Sequence, residues 1–346
     1  MKPSQKLFST LLLAIAFSLL NFSAVAQDDS FFMDELRELF KNESLSVGAL
    51  VQVQGLYDFD DQAPASSRSF SLPTARIKLS GKLDGGFNYV VHFDAADNPI
   101  LLDATAGYSL NNAFNVTAGA QKPGISAEFL KGPQDLDFVS RSQVVKALAE
   151  NRDIGVRVHG RLDQGLGYSV GMFNGNNLQP NDNDAFYYAG RLSFDAEFKD
   201  GTNLALGANG SYGEQDNKSI AAGTIPFIDG EYAIFGGDVR VENSGFIMGG
   251  EFLSALIDYS QSGEFDDTIM GYQVTGGFKF LEKAQFLVRW DSFQSEDIPA
   301  LNSDEIVIAL NYLPSEQTKI RLNYIFPPEQ AELENHRIAM NFQIGF

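Results

Sequence analysis

The chain has 346 residues, 25 basic and 45 acidic side chains and a formal charge of -20, an acidity that argues against a surface built for nucleic acid. With no cysteine, disulfide frameworks, thiolate metal sites and a cysteine nucleophile are excluded, and three histidines far apart in the chain suggest neither a metal centre nor a cofactor. A mean hydropathy of -0.13 excludes a helical membrane protein and leaves open one that crosses with strands.

Lys2 and Lys6 precede an apolar run from Leu7 to Phe22, which ends in Ser23-Ala24-Val25-Ala26. A charged start, a short apolar core and small residues before Gln27 predict a secretory signal over 1–26, cleaved after Ala26. The run falls short of the roughly twenty apolar residues that a spanning helix needs. Residues 27–44 then form a short N-terminal periplasmic segment. Within it Phe32, Leu36, Leu39 and Phe40 recur at helical spacing and predict an amphipathic helix over 29–42.

From Leu45 the period changes to two. In 45–57 the apolar Leu45, Val47, Ala49, Val51 and Val53 alternate with Ser46, Gly48, Gln52 and Gln54, Leu50 being the exception, and in 74–83 Ala75, Ile77 and Leu79 alternate with Arg76, Lys78 and Ser80. Alternation over about ten residues between turn residues marks a transmembrane strand with one face to lipid and the other to a lumen. Sixteen such segments recur between 45 and 346, the last at 336–346, an even number as in bacterial barrels. The links mostly alternate in length: Asp84-Gly85-Gly86, Asn111-Asn112 and Asp163 to Leu166 are tight, with 195–202 the one long link of that set, whereas 58–69, 122–152, 213–230 and 327–335 are long. Short turns on one side and long loops on the other are what such a barrel requires. A soluble exported β-sandwich is the competing fold, but strands this long exceed its usual range.

The run QKPGISAEFLKGPQDLDFVSRSQVVKALAENRDIGVRVHGRL, residues 121–162, resembles the phosphate-selective porin O and P family: a strand ends in Lys-Pro, a long loop carries Arg-Ser before an Ala-Leu-Ala stretch, and Arg-Asp-Ile-Gly opens the next strand. ARIKLSGKL at 75–83, SVGMFNG at 169–175 and NYLPSEQTKIRLNY at 311–324 support it, and a terminal Phe346 is similar to the assembly signal of outer-membrane barrels. The resemblance implies an all-β, antiparallel transmembrane barrel of about 16 strands in the bacterial outer membrane, with an inward-folded third extracellular loop. It further implies a homotrimer embedded in lipid and lipopolysaccharide that passes small hydrophilic solutes or inorganic anions such as phosphate. Phosphate-selecting members carry an arginine ladder and a lysine cluster, whereas this chain is shorter and strongly acidic.

Strand parity sorts the charges. Arg76, Lys78, Lys82, Arg157, Arg161, Arg191, Arg240, Arg289, Lys319, Arg321 and Arg337 fall on lumen faces, against Asp94, Asp103, Asp238, Asp291 and Glu305. Carboxylates dominate the long links: Asp58, Asp60 and Asp61, Glu214 and Asp216, Glu264, Asp266 and Asp267, Glu296 and Asp297, and Glu329, Glu332 and Glu334. If the third loop folds inward, Lys122, Arg141, Lys146 and Arg152 meet Arg76, Lys78, Arg157 and Arg161 across a constriction, and such rings favour anions. The competing expectation pairs these cations with neighbouring carboxylates to brace the loop, giving a weakly selective pore. Two other classes stay open: a barrel lipid hydrolase, for which the chain offers no Gly-x-Ser-x-Gly and only His159 on a lumen face and His92 near Asp94, and a non-conducting structural barrel.

Overall fold

The computed structural model describes residues 41–42, 44–60, 67–98, 100–220, 225, 227–261, 263–328 and 335–346. Sixteen strands form one closed antiparallel barrel. They are β1 (Leu45–Asp58), β2 (Arg68–Lys82), β3 (Phe87–Asp94), β4 (Leu101–Asn111), β5 (Phe114–Gln121), β6 (Asp153–Arg161), β7 (Leu166–Phe173) and β8 (Tyr187–Glu197). The circuit continues with β9 (Asn203–Lys218), β10 (Ile228–Glu242), β11 (Phe246–Ile257), β12 (Asp267–Leu281), β13 (Ala284–Ser295), β14 (Ser303–Ser315), β15 (Thr318–Phe326) and β16 (Arg337–Gly345). Each strand pairs with its sequence neighbours, and β16 returns to β1 with Arg337 opposite Asp58 and Gly345 opposite Leu50. Closure removes every edge, which hydrocarbon demands because an unpaired backbone group there costs several kcal/mol.

The period-two pattern survives in the burial. On β13, Trp290 is 41% exposed on the outer face, while its neighbours Arg289 and Asp291 are 3% and 0% exposed. The tight links stay tight: Asp84–Gly86 turns with Gly85 and Gly86 at φ of 75° and 86°, backbone that only glycine enters without strain.

Several strands run further than alternation predicts, β2 and β9 most of all. β2 begins at Arg68 rather than 74, because Pro73, which cannot donate to the ladder, sits where the register with β1 slips between Gln52 and Gln54. β9 continues through the polar GEQDNK run to Lys218, since Glu214 and Gln215 remain opposite Glu231 and Gly230 of β10. The wall is therefore uneven, with eight residues in β3, β5 and β7 against sixteen in β9 and fifteen in β10 and β12.

The signal at 1–26 and most of the helix expected over 29–42 lie outside the described residues, as do Asp61, Glu329, Glu332 and Glu334 of the acidic links. At the end of that expected helix, Lys41–Asn42 is extended and pairs with Leu45 and Ser46.

The connection from β5 to β6 carries two short helices, α1 (Ala127–Leu130) and α2 (Gln143–Leu148). Helix α2 packs on β11, β12 and β13. Val144, Val145 and Leu148 are fully buried there with Leu253, Ile269 and Phe293, each large side chain contributing about 1.5–3 kcal/mol. Gly271 of β12 permits the approach, since a Cβ there would lie 2.6 Å from that of Val144. Wall carboxylates take the unpaired backbone donors at both helix starts: Glu251 accepts from Ala127 N at 2.9 Å and Glu128 N at 3.0 Å, and Asp291 from Gln143 N at 3.1 Å.

Candidate functional site

Apolar packing occupies the β11–β13 side around α2; smaller cavities are lined by β8–β12, and a wider one lies against the opposite wall. A cavity of about 840 Å³ is bounded by β1–β6, by Gln343 and Gly345 of β16, by Gly132, Gln134 and Asp135 of the long connection, and by Glu316 and Gln317 in the tight turn after β14. Its cationic lining comprises Arg76, Lys78, Lys122, Arg152 and Arg157, against the carboxylates of Asp103, Asp135 and Glu316.

The strand register decides which charges meet. Arg76 stands opposite Asp94 on β3, and its Nε donates to Asp94 Oδ2 at 2.7 Å. His92 stands opposite Asp103 on β4, where the His92 Nδ1 to Asp103 Oδ2 distance is 2.9 Å, so this histidine is partnered by Asp103 rather than by the Asp94 that its sequence position suggests. Asp103 also accepts from Arg152 Nε at 2.9 Å, so one carboxylate anchors a wall histidine and the arginine that leads into β6. Arg157 and Lys78 form no ion pair among the described residues, and the buried Nε of Arg157 has no hydrogen-bond partner. His159 Nε2 lies 3.1 Å from Thr117 Oγ1.

Lys122 leaves β5 into the connection and its ammonium donates to the carbonyl oxygens of Phe129 and Lys131, with the Phe129 ring centroid 4.6 Å away. Burial first, and then the adjacent Arg141 and Arg152, push its amine down to about 7.

The other expected cations stand elsewhere. Arg141 is folded back within the connection, with Nη1 2.6 Å from Glu150 Oε1 and Nη2 donating to Lys131 O at 3.0 Å. Lys146 is half-buried on α2 and does not line the cavity. Arg161 lies beside the tight turn after β6, mostly exposed and paired with Asp195 at 2.7 Å, an arrangement worth little in water. Of the eight expected residues, the cavity brings together Arg76, Lys78, Lys122, Arg152 and Arg157.

A second set of wall cations grips the connection. Arg240 makes a two-pronged contact with Asp137 at 2.6 and 3.3 Å, and Arg289 donates to Ser140 O at 3.0 Å. Lys319 and Arg321 reach the carbonyls of residues 133–138. Burial alone would raise the Asp137 carboxyl, but the Arg240 guanidinium holds it below the ordinary carboxylate range. Sequence parity put these cations on the lumen face without separating them from those of the cavity. The signal for it was the row of polar residues at inward positions of β14–β16, where Asn311 and Asn323 bond the backbone of the connection and Asn341 and Gln343 accept from Arg321.

Among known proteins, residues 49–260 match the sequence model of the phosphate-selective porin O and P family. No curated protein sequence matches the chain. Solved structures do: an anion-selective porin from Comamonas acidovorans (TM-score 0.60, 12% identity, covering 88% of this chain and 99% of that one) and the trimer form of OmpT from Vibrio cholerae (0.59, 13%, 88% and 99%). The outer membrane channel DcaP of Acinetobacter baumannii is also similar (0.57, 12%, 87% and 97%). At these identities the likeness is one of fold.

Proposed function

Because the chain belongs to the phosphate-selective porin O and P family and forms an outer-membrane channel barrel of the bacterial outer membrane, we propose that it passes small hydrophilic solutes by diffusion with a preference for anions. The observation that carries this reading is the asymmetry of the cavity lining, where five cationic side chains face three carboxylate side chains, and Lys78 and Arg157 form no ion pair among the described residues. Low-dielectric walls concentrate the field of such unbalanced charge on a passing ion. The overall acidity does not oppose it. Screening within about 8 Å in physiological salt confines distant loop carboxylates to their own surroundings. Some of them are also occupied by structure, as Asp267 is, buried and accepting from Ser295 Oγ and Asp297 N.

In this reading the connection over 122–152 is an inward-folded loop and its segment 132–135 forms one side of the constriction. Phosphate is one anion the passage accommodates, and the absence of an unbroken cation column argues against exclusive selection of it. The barrel works as a homotrimer surrounded by lipopolysaccharide. A liposome-swelling assay tests the reading: vesicles bearing the protein swell in small sugars and faster in small organic anions. Vesicles that stay silent would mark a non-conducting barrel, and release of fatty acids from them a lipid hydrolase.

A further inference from the structure

We propose that Arg321 is a positioning residue that sets the aperture of the passage by clasping residues 133–140 to the wall, while contributing nothing to its charge preference. The proposal rests on the channel reading above and concerns a residue outside the cavity lining.

The segment has little backbone order of its own beyond a single turn at Pro133–Asp135. Its carbonyls are instead taken by side chains of the wall. Lys319 donates to Gln134 O at 3.0 Å, Asn311 to Asp137 O at 2.8 Å and Arg289 to Ser140 O at 3.0 Å, while Asn323 accepts from Val139 N at 2.7 Å. Arg321 sits at the centre. Its Nη1 donates to Leu136 O at 3.2 Å and Phe138 O at 2.9 Å, and its Nη2 to Pro133 O at 3.1 Å, so one guanidinium gathers three carbonyls of a six-residue stretch. The planar fork is what allows this, since an ammonium or an amide cannot present as many donors in fixed directions.

The guanidinium is in turn oriented from β16, where Gln343 Oε1 and Asn341 Oδ1 accept from Nη2 at 2.7 and 3.3 Å. Arg321 is 1% exposed, so passing ions do not reach its charge. The opposite side of the same segment is the cavity wall, through Gly132, Gln134 and Asp135. A clasp on one side and a passage on the other make the position of residues 132–136 depend on Arg321.

The test compares single-channel currents of Arg321→Gln and Arg321→Lys with the unmodified protein and with Arg157→Gln. Both Arg321 variants are expected to raise unit conductance by about half or more, because the loosened segment no longer fixes the narrowest point. Their reversal potential in a salt gradient moves less than that of Arg157→Gln. Arg321→Lys keeps the charge but not the fork, so its matching Arg321→Gln identifies geometry as the cause. If neither variant folds, Asn311→Ala combined with Asn323→Ala removes two peripheral ties and is expected to act in the same direction. Unchanged conductance in a folded variant, or a reversal shift as large as that of Arg157→Gln, overturns the proposal. An unmodified protein that carries no current would instead overturn the channel reading on which it rests.

Discussion

Substituting Arg157 by Gln removes an unpaired charge from the passage with little change of volume. Arg157 forms no ion pair among the described residues, so the change strands no carboxylate, and Thr117, opposite it on β5, is uncharged. The cavity balance of five cations against three carboxylates becomes four against three. A monovalent ion passing about 7 Å from the guanidinium, at an effective dielectric constant of about 40–80, feels about 0.6–1.2 kcal/mol. Screening over about 8 Å reduces this to about 0.25–0.5 kcal/mol. Since anions lose that stabilisation and cations lose the equal repulsion, the anion-to-cation permeability ratio is expected to fall by about two- to fivefold. Reversal potentials of single channels in a potassium chloride gradient centred near physiological ionic strength, where the screening length is about 8 Å, report the ratio. A ratio unchanged in Arg157→Gln, with unit conductance intact, would refute the claim that the β2–β6 wall sets the selectivity.

Three other outcomes follow from the same geometry. Lys122, with its amine pushed down to about 7, carries its charge below that pH and loses it above, so anion preference should decline as pH rises through neutrality. Lys122→Met should remove that part of the decline, and an identical pH profile in the variant would contradict the assignment. Asp103→Asn removes the carboxylate shared by His92 and Arg152 and should raise the anion preference, opposite in sign to Arg157→Gln in the same reversal-potential measurement. Asp137→Asn breaks the two-pronged contact with Arg240 and is expected to weaken the loop's attachment by about 1.5–3 kcal/mol, seen as faster amide exchange over residues 133–140. Because Arg240 holds the Asp137 carboxyl below its ordinary range, that attachment is present above the usual aspartate pKa and is lost as pH falls through the lowered one.

The barrel was readable because lipid imposes a strict rule on each strand: Trp290 between Arg289 and Asp291 can only face outward. Strand ends were less legible where that rule lapses. The polar end of β9 at Gly213–Lys218 is strand because β10 lies beside it, and Arg68–Pro73 is strand despite its proline because the register slips to accommodate it. Parity likewise showed which charges face inward, as with Arg76 and Arg157, but not which of them are occupied. Whether an inward cation meets a solute or a carbonyl depends on the path of residues 122–152, and no local pattern encodes that path. Thus Arg157 and Arg321 look alike in sequence, while one lines the cavity with no ion pair among the described residues and the other is 1% exposed and holds three carbonyls. The pairing of His92 with Asp103 instead of Asp94 was hidden for a related reason, since it is set by the β3–β4 register and the bulge between His92 and Phe93.

Whether this acidic barrel carries an anion-preferring passage along β2–β6 is decided by the sign of the reversal potential of the unmodified protein in a planar bilayer under a potassium chloride gradient. Discrete current steps whose reversal potential lies on the chloride side of zero are expected. A bilayer that stays silent, or steps that reverse on the potassium side, would contradict an anion-preferring passage.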